Sequence, residues 1–249
     1  MSAWSPWPDR PPPRAGHVDI CRVRLDQPGP ALAACRGVLD NDELARADRF
    51  RFPVKRNEFT LVRGALRLAL AQLLDCDPED IRFRYGPHAK PDLQFPRPPQ
   101  PLHFNVSHSH GLALLAFADD RAVGVDIEKI RPRDNLEKLV NRFFSPTERR
   151  AFAALPPDQR TRAFFEGWVR KEAFIKARGE GVTLGLDRFD VSLEPGRPAA
   201  LLATPFDPPE ADRWSMTGID PGPDHIAAAV VEGADPRWRL WEMPPIVLP

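Results

Sequence analysis

The stretch VGVDIEKI, residues 123–130, places two acids inside a strand-like run. Apolar side chains at positions 123, 125 and 127 alternate with Gly124, Asp126 and Glu128. Because successive side chains of a strand point to opposite faces, the pattern predicts one buried apolar face and one face that carries both acids. Aspartate is disfavoured inside strands, and the glycine leaves a bare patch that a ligand can approach. The acidic face is therefore a candidate binding site.

The overall composition is that of a soluble globular protein, with 42% apolar and 28% charged residues in a chain of 249. Lys+Arg and Asp+Glu each number 35, so the formal net charge is zero and binding to nucleic acid or an anionic membrane is not expected. No apolar run approaches the roughly 20 residues of a membrane helix, and the opening lacks the apolar core of a secretory signal. Cys21, Cys35 and Cys76 show neither metal-ligand nor disulfide spacing, which indicates a cytoplasmic protein.

Helical and strand-like patterns follow one another in the same order twice. In the first half, residues 41–52 and 57–75 have helical spacing, and residues 80–85 alternate like a strand. Residues 102–118 then predict a hairpin, with a polar turn around Ser107–Gly111.

The second half repeats this order from residue 121 onwards. Residues 160–178 give the strongest helical pattern in the chain, and Gly179 stands where a C-terminal glycine cap is expected. Residues 187–193 predict a strand, and residues 213–219 and 225–233 predict a second hairpin.

The duplicated order predicts an α+β protein of two similar α/β halves, each a long helix packed on a small, mostly antiparallel sheet. Prolines cluster near both ends, where they favour loops and tails over packed elements. We therefore expect a proline-rich tail over residues 1–16, a first half over 17–120, a second half over 121–235 and a proline-rich tail over 236–249, with the tryptophans near each end packing the tails down.

The acid pair of residues 123–130 has two interpretations. Acids on an exposed strand are common, and the pair then forms a solvated face. Alternatively Asp126 and Glu128 bind a divalent cation, since Mg²⁺ is often held by one or two carboxylates together with substrate phosphates.

The segment WVRKEAFIKARGEG (168–181) adds a third acid. On a helix Phe164, Trp168, Glu172 and Lys176 form one stripe at four-residue spacing. Glu172 and Lys176 are either an exposed ion pair or a half-buried acid, serving as metal ligand or base, beside a lysine directed at a phosphate.

The segment FNVSHSHG (104–111) is polar at alternate positions. His108 and His110 could suggest zinc, but no third ligand stands nearby, and a polar hairpin turn is the simpler interpretation. Ser107, His108 and the backbone N–H groups of a turn are also suitable phosphate ligands.

Several basic residues complete the set of candidates. Arg46, Arg49 and Arg63 fall on the helices of the first half, and Lys90 follows a turn signal at residues 85–87. Each alone is an ordinary solvated charge, whereas together they could bind a multiply phosphorylated ligand.

In this order, the segments FNVSHS, GVDIE, FFSPTE (143–148) and WVRKEAFIK (168–176) resemble the 4′-phosphopantetheinyl transferases of the Sfp type. The likeness extends from residue 46 to about residue 190, and the chain length resembles that of the Sfp-type pseudo-dimer. The resemblance implies that the 4′-phosphopantetheine arm of coenzyme A is transferred to a serine hydroxyl of an apo acyl or peptidyl carrier protein. It further implies Mg²⁺ dependence, release of 3′,5′-ADP and a monomeric pseudo-dimer.

The same resemblance implies a set of site residues. By similarity, Asp126, Glu128 and Glu172 hold Mg²⁺, Ser107, His108 and Lys176 bind the phosphate end of coenzyme A, and Arg46, Arg63 and Lys90 grip its nucleotide part. Glu172, Lys176 and His108 are the catalytic candidates, with Glu172 as first choice for the base and Glu148 in reserve. Ala89 stands where the family has a glycine, which could alter the nucleotide pocket.

Two alternative functions stay open on the sequence. A Mg²⁺-dependent nuclease shares the pattern of two carboxylates and a lysine, but the zero net charge argues against it. A non-catalytic carrier-protein or nucleotide-binding module on the same fold is disfavoured because all three acids and the lysine are present. The carrier is expected to be acidic, so Arg142, Arg149, Arg150, Arg160 and Arg162 are candidate docking charges or simply solvated arginines.

Overall fold

The computed structural model describes residues 4–9, 11–12, 15–27, 29–86, 90–205 and 208–246. The α-helices are α1 (Gly29–Gly37), α2 (Asn41–Asp48), α3 (Pro53–Leu74), α4 (Leu136–Phe143), α5 (Pro146–Ala154) and α6 (Pro157–Arg178). The strands are β1 (Ser5–Pro6), β2 (His17–Arg24), β3 (Arg82–Tyr85), β4 (Pro91–Phe95), β5 (Leu102–Ser109), β6 (Leu112–Asp119), β7 (Val123–Lys129), β8 (Asp190–Val191), β9 (Leu201–Ala203), β10 (Trp214–Ile219), β11 (His225–Glu232) and β12 (Arg237–Glu242).

Two sheets organise the described residues. The larger has the strand order β1-β12-β2-β6-β5, in which β12 runs parallel to both of its neighbours and the other pairs are antiparallel. The smaller, β10-β11-β7, is antiparallel throughout. Short ribbons, β3-β4 and β8-β9, stand beside them.

The layers run helix, sheet, sheet, helix. Apolar side chains of α3 share one buried cluster with the larger sheet. A second cluster joins the inner faces of the two sheets and contains Val123, Val125 and Ile127, the predicted apolar face of β7. A third joins α6 to β11. The fold is therefore α+β with a long helix on each sheet, as predicted.

Both long helices have recognisable ends. Pro53 and Pro157 occupy their first turns, where the missing N–H group of proline costs nothing. Asp75 (φ 51°) and Gly179 (φ 75°) end them in the left-handed conformation, so the predicted glycine cap is confirmed. None of the described helices combines the length and apolar character needed to cross a bilayer.

Two local predictions need correction. Within residues 187–193 a 3-10 turn, Leu186–Arg188, precedes a strand of only two residues, so most of the predicted strand is absent. In the first hairpin the turn is confined to His110 (φ 45°) and Gly111 (φ 89°), the backbone of a tight two-residue loop. Ser107 therefore lies in β5 rather than in the turn.

The segment predicted as a C-terminal tail contains a strand of the larger sheet. β12 inserts between β1 and β2, and Trp241 makes an edge-to-face contact with the buried Trp7 at 6.2 Å. The prolines that follow Glu242 concealed the two-residue alternation of RWRLWE. The predicted boundary between the halves near residue 120 stays a prediction.

β7 and α6 approach each other with no side chain between them at Gly124. A methyl group built on Gly124 would lie 2.1 Å from the carbonyl oxygen of Ala173 and 2.4 Å from the amide nitrogen of Ala177. Both neighbours are backbone atoms of a packed helix, which cannot move aside independently. Only glycine fits this crossing.

We expect Gly124→Ala to lower the free energy of unfolding by at least about 1–3 kcal/mol, the usual cost of overpacking, because a helix backbone must shift. Urea unfolding measures this loss. Gly218→Ala is the matched control, since Gly218 also lies in a strand and its nearest neighbour, the Ala199 methyl group, is 4.0 Å away. Equal stability of the two variants would show that the crossing tolerates a side chain.

Candidate active site

The centre of the candidate site is Asp126, which β7 presents toward α6. Its side chain is 8% exposed. Oδ1 accepts hydrogen bonds from Ser107 Oγ at 2.8 Å and from Lys176 Nζ at 2.6 Å. Lys176 also donates to Ser107 Oγ at 3.0 Å and to the carbonyl oxygen of Val125 at 3.3 Å. Three residues predicted separately, from β5, β7 and α6, therefore meet in one hydrogen-bonded triangle.

The second oxygen of Asp126 is available to a ligand. Asp126 Oδ2 is buried and has no hydrogen-bond partner among the described residues. Leaving a buried carboxylate oxygen unpaired is costly, so such an atom calls for an explanation. A hard cation that prefers oxygen ligands fits it.

The other two predicted metal ligands share the electrostatic neighbourhood of Asp126. Burial and then the negative charge of Asp126 raise the pKa of Glu172, Glu128 adds to the rise, and Lys176 opposes it. Glu128 Oε2 accepts a hydrogen bond from Ser109 Oγ at 3.1 Å. Within the described ranges, no three His, Cys, Asp or Glu side chains form a finished metal site, and the cation held by Asp126 is the ammonium of Lys176.

The alternative of a simple surface pair between Glu172 and Lys176 does not describe α6. Lys176 Nζ forms its ion pair across the interface with Asp126, and the Glu172 carboxylate makes no hydrogen bond to any described residue. Phe164 and Trp168, about two turns and one turn before Glu172, stack on each other at 5.8 Å. The predicted stripe is therefore aromatic at one end and charged at the other.

His108, next to Ser107 on β5, is exposed and feels the charges of α3 and of Lys176. Partial desolvation lowers the pKa of its imidazole, Glu58 opposes the shift, and Lys55 and Lys176 add to it. Because the residue is exposed, solvent weakens these charge effects. His110 belongs to the tight turn, so the zinc interpretation gains no support.

The predicted nucleotide-binding arginines form a separate cluster on the first half. Arg63 is buried, lies 3.2 Å from Glu43 Oε1 and donates to the Tyr85 hydroxyl at 3.3 Å. The Arg46 guanidinium lies 5.3 Å from the centre of the Phe59 ring. No hydrogen bond or ion pair between described residues joins either arginine to Asp126.

Lys90 bridges the two halves. Its Nζ donates to the carbonyl oxygen of Lys176 at 2.5 Å, and burial lowers its pKa to about 8. It lines a cleft of about 380 Å³ together with Tyr85, Arg178 and Gly179. The cleft meets the arginine cluster at Tyr85, to which Arg63 donates, and the end of α6 at Arg178 and Gly179. Ala89, the departure from the family pattern, lies outside the described residues.

Glu148, the reserve candidate for the base, has a structural role instead. It is 2% exposed and lies 2.8 Å from Lys171 Nζ. Its carboxylate also accepts the backbone N–H groups of Ser145 and Val191, each at 2.8 Å. Both oxygens are engaged and the side chain is buried, so Glu148 is a poor base, and Glu172 stays the predicted one.

Sequence reasoning missed Ser109, which binds Glu128. The signal was present, because Asn105, Ser107 and Ser109 alternate along one strand and so share a face. It was hidden because the segment from Ser107 onward was predicted as a turn.

Comparison of the chain with known proteins identifies its family. The model of the 4′-phosphopantetheinyl transferase superfamily matches residues 122–231, which include all three acids and Lys176. The 4′-phosphopantetheinyl transferase HetI of Nostoc sp. is 37% identical over 238 residues, covering 96% of this chain and 97% of that protein. The chain belongs to the 4′-phosphopantetheinyl transferase superfamily.

Other members are similar over shorter spans. The transferase Sfp of Bacillus subtilis is 40% identical over 131 residues, or 51% of this chain and 54% of that protein. A solved holo-[acyl-carrier-protein] synthase of Thermotoga maritima overlaps 45% of this chain and 62% of its own, with a TM-score of 0.36 and 24% identity, which is too distant to add to the assignment. Membership of this superfamily makes the chain a phosphopantetheinyl transferase and argues against the nuclease.

Lys171→Met should lower the free energy of unfolding of this transferase by about 3–5 kcal/mol, because it leaves the Glu148 carboxylate buried without its partner. Urea denaturation measures the loss, and Lys138→Met, at an exposed position of α4, should change little. Adding Glu148→Gln to Lys171→Met should recover part of the loss. A single variant as stable as the control would contradict the structural role of this pair.

The lowered pKa of Lys90 predicts how the free energy of unfolding depends on pH. An unfolded lysine has a pKa of about 10.4, whereas folded Lys90 has a pKa of about 8. Between these values the unfolded chain binds more protons, so the free energy of unfolding rises with pH there. Urea unfolding of the wild type and of Lys90→Met from pH 8 to 10 should show the difference, wild type minus variant, increasing. A constant difference would mean that Lys90 keeps an ordinary pKa.

Proposed function

We propose that this transferase moves the 4′-phosphopantetheine arm of coenzyme A to a serine hydroxyl of an apo carrier protein in a Mg²⁺-dependent reaction that releases 3′,5′-ADP. The observation that carries the proposal is the joining of Asp126, Ser107 and Lys176 at the seam between the halves, with Glu128 and Glu172 alongside. This group combines acceptors for a cation with donors for a phosphate within one small volume.

The diphosphate end of coenzyme A is assigned to Ser107, His108 and Lys176. Lys176 supplies an ammonium and Ser107 a hydroxyl beside the acids, and His108 stands at the exposed side of the same group. The strong negative charge of a diphosphate resists attack by a nucleophile, so charge neutralisation and positioning supply most of the catalysis.

The nucleotide part of coenzyme A is assigned to the cleft that Lys90 and Tyr85 line. Arg63 donates to Tyr85, and Arg46 lies over the neighbouring Phe59. An aromatic ring suits an adenine base, and the nearby cations suit the 3′-phosphate. Because Arg63 is also held by Glu43, it contributes a fixed charge rather than a mobile one.

Asp126, Glu128 and Glu172 are assigned to Mg²⁺. The buried and unpaired Oδ2 of Asp126 supports this assignment, as do three carboxylates in one neighbourhood. When bound, Mg²⁺ supplies positive charge to the diphosphate and to the departing 3′,5′-ADP. The three acids would otherwise repel that diphosphate.

Glu172 is assigned as the base that accepts the proton of the carrier serine. The serine oxygen forms a bond to the phosphorus that carries the pantetheine arm, and the bond from that phosphorus to the oxygen of the leaving 3′,5′-ADP breaks. Glu172 is only partly buried, so its carboxylate is accessible to a substrate hydroxyl. One oxygen cannot serve as ligand and base, so the two roles divide between Oε1 and Oε2.

The carrier is expected to dock near α4 and α5. Arg149 and Arg160 donate to backbone carbonyls that follow α4 and α5, and Arg162 pairs with Glu166. Arg142 and Arg150 are exposed, and neither donates a hydrogen bond to a buried group among the described residues. They are therefore the better candidates to contact an acidic partner.

Intact-mass spectrometry tests the reaction with purified apo acyl and peptidyl carrier proteins, coenzyme A and Mg²⁺. We expect at least one carrier to gain the mass of a phosphopantetheine arm, EDTA to stop the reaction, and Glu172→Gln to slow it by about 10²–10⁴-fold because the base is lost. Glu79→Gln, an exposed glutamate in the turn after α3 and away from α4 and α5, is the control. A Glu172→Gln variant with the transfer rate of the wild type would remove Glu172 from the mechanism.

A further inference from the structure

The two sheets are joined by side chains rather than by a backbone ladder. β5 is the edge strand of the larger sheet, and β7 is the edge strand of the smaller. Three side chains of β5, here called the β5 ladder, accept backbone N–H groups of β7. The bonds are Val125 N to Asn105 Oδ1 at 2.9 Å, Ile127 N to Ser107 Oγ at 3.4 Å and Lys129 N to Ser109 Oγ at 3.2 Å.

The two serines of the β5 ladder make the same set of bonds. Ser107 Oγ donates to Asp126 and accepts the N–H of the next residue, Ile127, while Ser109 Oγ donates to Glu128 and accepts the N–H of Lys129. In both cases the acid is 19 positions beyond the serine and the amide is 20 beyond it. The corresponding residue for Asn105 is Gly124, which has no side chain.

Each serine has one further polar neighbour. Lys176 Nζ lies 3.0 Å from Ser107 Oγ, and His110 Nδ1 lies 3.0 Å from Ser109 Oγ. A hydroxyl donates once and accepts twice, so in this arrangement the proton of each serine is directed at its acid, and Ser107 would donate to a phosphate by turning that proton away from Asp126. Ser109 is 7% exposed, which limits competition from water.

We propose that Ser109 is a positioning residue that fixes the carboxylate of Glu128 for Mg²⁺, as Ser107 fixes that of Asp126. The inference rests on the proposed function, because it takes Glu128 as a metal ligand. Glu128 is only partly buried and has more side-chain torsions than aspartate, so without Ser109 its carboxylate samples several rotamers. Partners that hold a ligand in place typically change metal affinity by about 10–100-fold when they are removed.

Calorimetric titration of Mg²⁺ into the protein with coenzyme A bound, and with no carrier present, tests this role without measuring activity. Ser109→Ala should weaken Mg²⁺ binding by about 10-fold or more, and Ser109→Thr, which keeps the hydroxyl, should restore most of it. Ser215→Ala is the matched control. Ser215 lies on β10, the edge strand of the smaller sheet opposite β7, and its Oγ donates to the backbone carbonyl of Gly233.

A double-mutant cycle separates positioning from general damage. If Ser109 acts through Glu128, Ser109→Ala should weaken Mg²⁺ binding much less in a Glu128→Ala background than in the wild type. Additive effects, or a Ser109→Ala protein that binds Mg²⁺ like the wild type, would overturn the positioning role alone. A wild-type protein that binds no Mg²⁺ with coenzyme A present would overturn the proposed metal site and this inference together.

Hydrogen exchange gives a second readout in the protein alone. The Lys129 amide should exchange faster in Ser109→Ala than in the wild type, while the amide of Val125, which Asn105 holds, should keep its protection. An unchanged rate at Lys129 would show that the last bond of the β5 ladder does not form in solution.

Discussion

The backbone contact between β7 and α6 at Gly124 is the constraint on which the site depends. The two elements lie so close there that a single methyl group would overlap the helix backbone. Once this crossing is fixed, Glu172 and Lys176, which immediately precede Ala173 and Ala177 on α6, lie beside the face of β7 that carries Asp126. A helix held farther away by ordinary side chains would leave the lysine and the acids out of reach of one another.

The helix α6 carries two lysine–carboxylate pairs with different uses. Lys171 and Glu148 are 0% and 2% exposed, and the remaining bonds of both side chains go to backbone groups, so this pair fixes α5 and the 3-10 turn at Leu186–Arg188 against the helix. Lys176 and Asp126 are 28% and 8% exposed and leave one carboxylate oxygen unpaired. In the first pair every carboxylate oxygen has a partner within the protein, which makes the pair structural. In the second pair one carboxylate oxygen is left for a ligand.

Most of the fold could be predicted from periodicity. The long helices, both hairpins and the acidic strand have clear patterns of two or of about 3.6 residues, and Gly179 ended its helix as expected. The strand over residues 187–193 failed because alternation over a few residues does not distinguish a strand from a loop that packs alternate side chains inward. The boundary of the C-terminal tail failed because prolines outweighed the alternation of Arg237–Glu242, although prolines beyond a strand do not prevent its pairing.

The site was predictable as a set of residues but not as a set of contacts. Spacing on one helix suggested that Lys176 pairs with Glu172, and only the packing of α6 on β7 shows the bond to Asp126. Glu148 looked suitable as a base because the sequence gives no measure of its burial or of the N–H groups directed at it. Partners separated by many positions in the chain, such as Ser107 and Asp126, become visible only when the strands are placed side by side.

The position of β12 has a consequence for the order in which the molecule folds. This strand fills the space between β1 and β2, yet it is synthesised after the whole of the second half. A nascent chain that has emerged only through β6 therefore has β2 as an open edge, able to pair with other extended segments. β12 is the last strand among the described residues, so the first sheet is completed only after the second half has been synthesised.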